Sequence, residues 1–127
     1  MLVIATPLLA AERMLSGQWE SAMTTYGETR IVKFCIDAAE AASNNGDSKS
    51  GREFAEKKAK KAGGTCTIET YDIKGDTISY SMLCGNRSIK STQTYGGETA
   101  EGVLSTTVQG KTTTNTQIKS RRIGSCP

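Results

Sequence analysis

The clearest alternation of apolar and polar positions lies between Cys66 and Cys84. After a Gly75-Asp76 turn, Ile78, Tyr80, Met82 and Cys84 alternate with Thr77, Ser79 and Ser81, the two-residue period of a half-buried strand. Before the turn the parity changes midway: Cys66 and Ile68 share one phase, Tyr71 and Ile73 the other. A bulge near Glu69 or Thr70 returns all four to one face and sets Cys66 opposite Cys84, whereas an unbulged two-residue hairpin sets Cys84 opposite Thr67.

The flanking segments predict more strands around one helical excursion. A first strand runs from Gly17 to about Thr25, Tyr26-Gly27-Glu28 turns, and Thr29 to Ile36 forms a second. Asp37 is placed to cap a short Ala-rich helix that the polar run Asn44 to Ser48 ends. A second helix opens on a Ser50-to-Glu53 capping box, carries Glu53-Lys57 and Glu56-Lys60 spacings, and stops at Gly63-Gly64. Beyond the hairpin, Ser88 to Tyr95, Gly102 to Gln109 and Thr112 to Arg122 read as a polar meander. From Asn86 to Ser120 only seven of 35 residues are apolar and thirteen are Ser or Thr, so these strands offer little to bury, which argues against a generous apolar cavity. The expectation is a mainly β (α+β) domain over residues 16–127: about seven antiparallel strands, as a meander or half-open barrel, with a helical insert at 37–64 between strands 2 and 3.

Residues Met1 to Ala11 are apolar at nine of eleven positions before Glu12 and Arg13 break the run. That length suits the core of a signal peptide, with Leu9-Ala10-Ala11 as a cleavage site, and is too short for a transmembrane span. The basic residues that should precede it are missing, so residues 1–11 are expected to be a truncated leader, the alternative being a short element of the mature fold. Export sets the reading of Cys35, Cys66, Cys84 and Cys126, spaced by 31, 18 and 42 residues. No close pair of zinc ligands exists, so two disulfides are expected. The bulged register favours Cys66–Cys84 and leaves Cys35 with Cys126; the competing pairing is Cys35–Cys66 with Cys84–Cys126.

Charge and chemistry narrow the function by exclusion. The net charge is only +3, which with the solvated reading of Lys57, Lys58, Lys60 and Lys61 gives no nucleic-acid partner. The chain has no histidine, so imidazole triads, dyads and HExxH zinc sites are excluded. The carboxylates are scattered, and GxGxxG, Walker A and GxSxG motifs are absent. Neither a cofactor, a metal nor a catalytic residue is expected.

Two resemblances add to this. The order Gly17-x-Trp19-Glu20, the four cysteines around a Gly-centred hairpin, Tyr95-Gly96-Gly97, Gly102, Gly110 and Arg121-Arg122-Ile123-Gly124-Ser125-Cys126 resembles the bacterial domain-of-unknown-function family DUF3617, over about residues 16 to 126. The resemblance implies a small exported protein of Gram-negative bacteria, periplasmic and without assigned activity. Gly17-x-Trp19 with Arg121 or Arg122 is also similar to the lipocalin pairing of a first-strand GxW with a basic residue on the last strand. That pairing implies a barrel with room for a small ligand, candidate lining residues being Trp19, Tyr80 and Arg122; the alternative is that Trp19 anchors a core beneath the sheet. The expected role is non-catalytic binding of a small or extended envelope ligand by a monomer, or, in the other reading, docking of an envelope protein through exposed edge strands.

Overall fold

The computed structural model describes residues 12–61 and 65–127. The apolar stretch 1–11 and the Gly63-Gly64 helix stop lie outside the described residues. Seven strands form one antiparallel sheet: β1 (Gly17–Thr25), β2 (Glu28–Ile36), β3 (Cys66–Lys74), β4 (Thr77–Cys84), β5 (Arg87–Tyr95), β6 (Thr99–Val108) and β7 (Thr112–Gly124). Two helices, α1 (Ala38–Asn45) and α2 (Ser48–Lys61), connect β2 to β3. The order across the sheet is β2-β1-β7-β6-β5-β4-β3, so the insert joins its two edge strands and the sheet does not close.

The predicted bulge is present. Cys66 is level with Cys84 and Tyr71 with Tyr80, and the register shifts between Ile68 and Thr70. Because that shift returns Tyr71 and Ile73 to the face of Ile68, the hairpin presents one continuous inner surface. Both disulfides of the favoured pairing are formed, Cys66–Cys84 with Cα atoms 4.2 Å apart and Cys35–Cys126 at 5.6 Å. The first staples the β3–β4 hairpin at its open end. The second ties the end of β2 to the tail that follows β7.

The polar meander holds together through rungs of hydroxyls. Thr77 and Thr94 are register partners with Oγ1 atoms 2.8 Å apart. Ser105 donates to Asn115 Oδ1 at 2.6 Å, and Thr107 meets Thr113 at 3.2 Å, again between register partners. Such cross-strand pairs contribute roughly 0.2–1 kcal/mol each. They explain how strands with few apolar residues form a ladder.

The helices depart from expectation at one start. Asp37 caps α1 as predicted, accepting from the Glu40 amide at 2.8 Å. For α2, however, the cap is Asp47, which accepts from the Ser50 amide at 2.8 Å. Ser50 lies inside the helix, so the Ser50–Glu53 capping box is not used: the helix begins at Ser48, and Asp47 just before it is the cap that takes the Ser50 amide. Glu56 pairs back to Arg52 at 2.8 Å, and Lys58 reaches across to Glu40 of α1 at 3.0 Å. The i,i+4 spacings to Lys57 and Lys60 give way to these contacts.

Helix α2 sits against β3. Gly51 is buried there, and a Cβ on it would come within 2.7 Å of Tyr71 Cε1, so the absence of a side chain lets the ring lie on the helix backbone. Arg52 Nη2 donates to the Ile68 carbonyl at 3.2 Å, beside the bulge where the ladder is interrupted. This edge of the sheet is therefore covered, while β2, exposed along most of its length, is an edge that no other described strand pairs with on its outer side.

Candidate functional site

The concave side of the sheet and the two helices bound a half-open cavity of about 520 Å³. Strand parity decides what faces it. From β1 come Trp19, Ser21 and Met23, from β2 Phe34 and Ile36, from β4 Ile78, Tyr80 and Met82. β5 supplies Gln93 and Tyr95, β6 Ala100, and β7 Ile118 and Ser120. Of the sparse apolar residues after Asn86, Tyr95, Ala100 and Ile118 point inward, and the curl of the sheet borrows the rest from β1 to β4. The expected lack of an apolar cavity is corrected on that account. Helix residues Phe54, Ala55 and Ala59 form the opposite wall.

One end of the cavity is shut by a cluster of Met14, Trp19, Ile36, Ala41 and Ala100, with Phe34 and Tyr95 packed on it. Residues 13–15 act as a strap across this end. Met14 pairs with Gly97 as a bridge, and both backbone groups of Met14 bond the Asn45 side chain, at 2.9 and 2.8 Å. Arg13 donates to the Gly75 carbonyl at 2.7 Å and to those of Asn44 and Gly46 at 3.0 and 3.1 Å, so one guanidinium joins the strap, the C-terminus of α1 and the β3–β4 turn. Cationic donors suit the last carbonyls of a helix. In the sequence Arg13 is only the residue that ends an apolar run; nothing local signals this contact.

The polar groups inside are few. Ser21 and Ser120 bond each other through Oγ atoms 2.5 Å apart. Tyr71 and Tyr80 stack with centroids 6.3 Å apart and planes 14° from parallel. The Tyr80 and Tyr95 hydroxyls and the Gln93 amide have no hydrogen-bond partner among the described residues. Burial, reinforced by Tyr80, Tyr71 and Glu40 nearby, pushes the Tyr95 phenol well above its ordinary pKa, and burial does the same to Tyr71. The charged lining residues are Glu40 and Lys58, which neutralise each other.

A folded-state phenol pKa above the unfolded value means that the native state holds its proton longer. Stability from this source is complete below about pH 10 and declines as pH rises past it, because only the unfolded chain ionises readily there. A Tyr95→Phe variant is accordingly expected to lose less stability than wild type between pH 9 and 11 (about one unit each side of the free phenol), read from urea midpoints. Parallel curves for the two proteins would contradict the assignment.

Of the candidate residues, Trp19 and Tyr80 border the cavity and Arg122 does not. Trp19 is 1% exposed, and its indole N–H donates to the Leu15 carbonyl at 2.9 Å. Arg122, the register partner of Trp19, donates through Nε to the Ser16 carbonyl at 2.7 Å and lies over Gly17. A Cβ at Gly17 would sit 2.5 Å from both Arg122 Nε and the Gly124 carbonyl oxygen, and its φ of +145° favours glycine as well. The GxW element therefore has a physical reason here: glycine admits the arginine, and the arginine holds the strap that receives the indole proton. Tyr71, Tyr95 and Gln93 were not singled out from sequence. Their parity relative to Tyr80 was the available signal, and for Tyr71 it is legible only through the bulge.

No group of three or more metal-ligating side chains converges among the described residues. No helix among them is long and apolar enough to cross a membrane. Fold and site together define a disulfide-stapled, curled antiparallel sheet with a helical pair across a half-open cavity. The chain belongs to the family described as "Protein of unknown function (DUF3617)", whose model matches residues 14–126. No curated protein and no solved structure matches it.

Proposed function

We propose that the cavity binds one uncharged, mainly apolar small molecule without transforming it, in the oxidising environment of the periplasm. The observation that carries this reading is the lining: a largely apolar wall around about 520 Å³, three phenols, the amides of Asn44 and Gln93, the mutually bonded Ser21 and Ser120, and the two charges paired to each other. That volume lies within the usual range for small-molecule sites, roughly 300–1,000 Å³. A formal charge on the ligand would meet no unpaired counter-charge, whereas a carbonyl or hydroxyl would meet the Tyr80 and Tyr95 hydroxyls and the Gln93 amide. The two disulfides support an extracytoplasmic location.

The test uses N-phenyl-1-naphthylamine, a neutral apolar probe. One saturable site per chain with quenching of Trp19 emission is expected, and Met23→Trp, which fills the cavity, should weaken binding at least about tenfold. Native mass spectrometry of the periplasmic protein should show a bound mass that the variant lacks. Non-saturable uptake, or equal binding by a folded Met23→Trp, would sink the reading.

One observation favours a second reading, docking of an envelope protein by strand addition: β2 is, among the described residues, an unpaired edge of nine residues, whereas α2 covers β3. Binding of that kind would be indifferent to Met23→Trp.

A further inference from the structure

The strand register collects an unusual set of side chains at the end of the molecule remote from the strap. Cys66, Cys84, Arg87, Val108 and Thr112 are level across β3 to β7, so the β4–β5 and β6–β7 turns lie at that end, with the β1–β2 turn beside them. Helix α2 starts next to the strap, since Gly46 and Asn44 are held by Arg13, and runs along β3 to finish near Cys66. Its terminal lysines therefore join the turns.

The exposed bases gathered there are Lys57, Lys60, Lys61, Arg87 and Lys111, and none of them forms an ion pair among the described residues. The acids nearby are Glu28, Glu69 and Glu56, the last held by Arg52. Three large hydrophobic residues stand among the bases with their side chains in solvent: Tyr26 at the β1–β2 turn is 81% exposed, Leu83 42% and Val108 36%. At the strap end the pattern reverses. Asp37, Asp47, Asp72, Asp76 and Glu98 cluster there with the exposed Lys49 and with Lys74, which lies 4.0 Å from Asp72, and Arg13 and Arg122 are engaged on backbone carbonyls. A net charge of +3 thus conceals a molecule polarised along its strands.

We propose that this basic, aromatic-tipped end docks on an anionic phospholipid surface. Lysines and arginines are drawn to the negative surface potential, and an exposed tyrosine with aliphatic neighbours suits the boundary between headgroups and acyl chains. A polynucleotide would offer the same charge but no use for Leu83 and Val108, and this end has one exposed aromatic ring where strand binders usually stack several bases. Docking here rests on the surface alone and is independent of what the cavity holds.

The test is co-sedimentation of the full-length protein with vesicles of phosphatidylcholine alone or with about one-third phosphatidylglycerol, at low salt and at about 0.5 M. Binding to the anionic vesicles only, abolished by salt, is expected. Lys60→Gln with Lys61→Gln should reduce partitioning about 25-fold, at about fivefold per charge, and Tyr26→Ser should reduce it further. The control pair Lys49→Gln and Lys74→Gln, at the strap end, should leave it unchanged. All five positions are exposed, so unchanged melting curves will separate lost docking from lost fold. No binding to anionic vesicles, equal binding to neutral ones, an unaffected Lys60/Lys61 variant, or tighter binding to a single-stranded oligonucleotide would each overturn the proposal.

Discussion

Replacing Cys35 and Cys126 together by serine is expected to lower the unfolding free energy by about 4–5 kcal/mol, against about 3 kcal/mol for Cys66 and Cys84. The bridges close segments of 91 and 18 residues, and loop entropy in the unfolded chain grows with the logarithm of that length. The longer bridge also secures β2, an edge strand whose only sheet partner among the described residues is β1. Urea titrations of both double variants, in oxidising buffer, measure the two losses. Equal losses, or the reverse order, would mean that native-state contacts outweigh chain entropy. Losses of this size are a large fraction of the about 5–15 kcal/mol that holds a domain together, so the Cys35/Cys126 variant should be partly unfolded at 37 °C.

Trp19→Ala is the second large effect, about 3–5 kcal/mol, from lost burial and the void left behind. The indole is the largest fully buried side chain among the described residues and shares one cluster with Ile36 of β2, Ala41 of α1, Ala100 of β6 and Met14 of the strap. Its N–H also caps the Leu15 carbonyl at 2.9 Å. Trp19→Phe keeps much of the apolar contact and loses that hydrogen bond, so its cost should be smaller. Thermal melts of both variants give the comparison. A loss below about 1 kcal/mol for alanine, the level of an ordinary point substitution, would show that the cluster does not depend on the ring.

Much of the sheet was legible because its signals are local. The alternation from Thr77 to Cys84 and the phase change before Gly75 together implied a bulge, and the bulge implied a disulfide; the structure has both. Asp37 was readable as a cap for the same reason. What escaped notice depends on contacts distant in sequence. The capping box at Ser50 was a sound local pattern, but the helix starts at Ser48, so Asp47 is the cap and takes the Ser50 amide. Arg13 bonds carbonyls 31 to 62 residues away, and no window along the chain contains that information. The cavity was misjudged because apolar residues were counted by segment. A curled sheet pools its inward positions, and Ala100, Ile118 and Tyr95 suffice when Met23, Phe34 and Met82 face them.

The order of strands in the sheet also sets an order in time. β1 and β2 are made first, yet β1 pairs on its inner side only with β7, the last strand. A chain emerging from the N-terminus has Trp19, Met23 and Phe34 in hand with nothing to lay them on until almost all residues have followed. Until then Cys35 lacks its native partner, and Cys66 is the first thiol to arrive after it. Pairings this distant in sequence are slow to close. A nascent or truncated chain is thus exposed to a wrong first bridge, Cys35 with Cys66, and topology leaves the native pairing to the final dozen residues, the key that completes the other half.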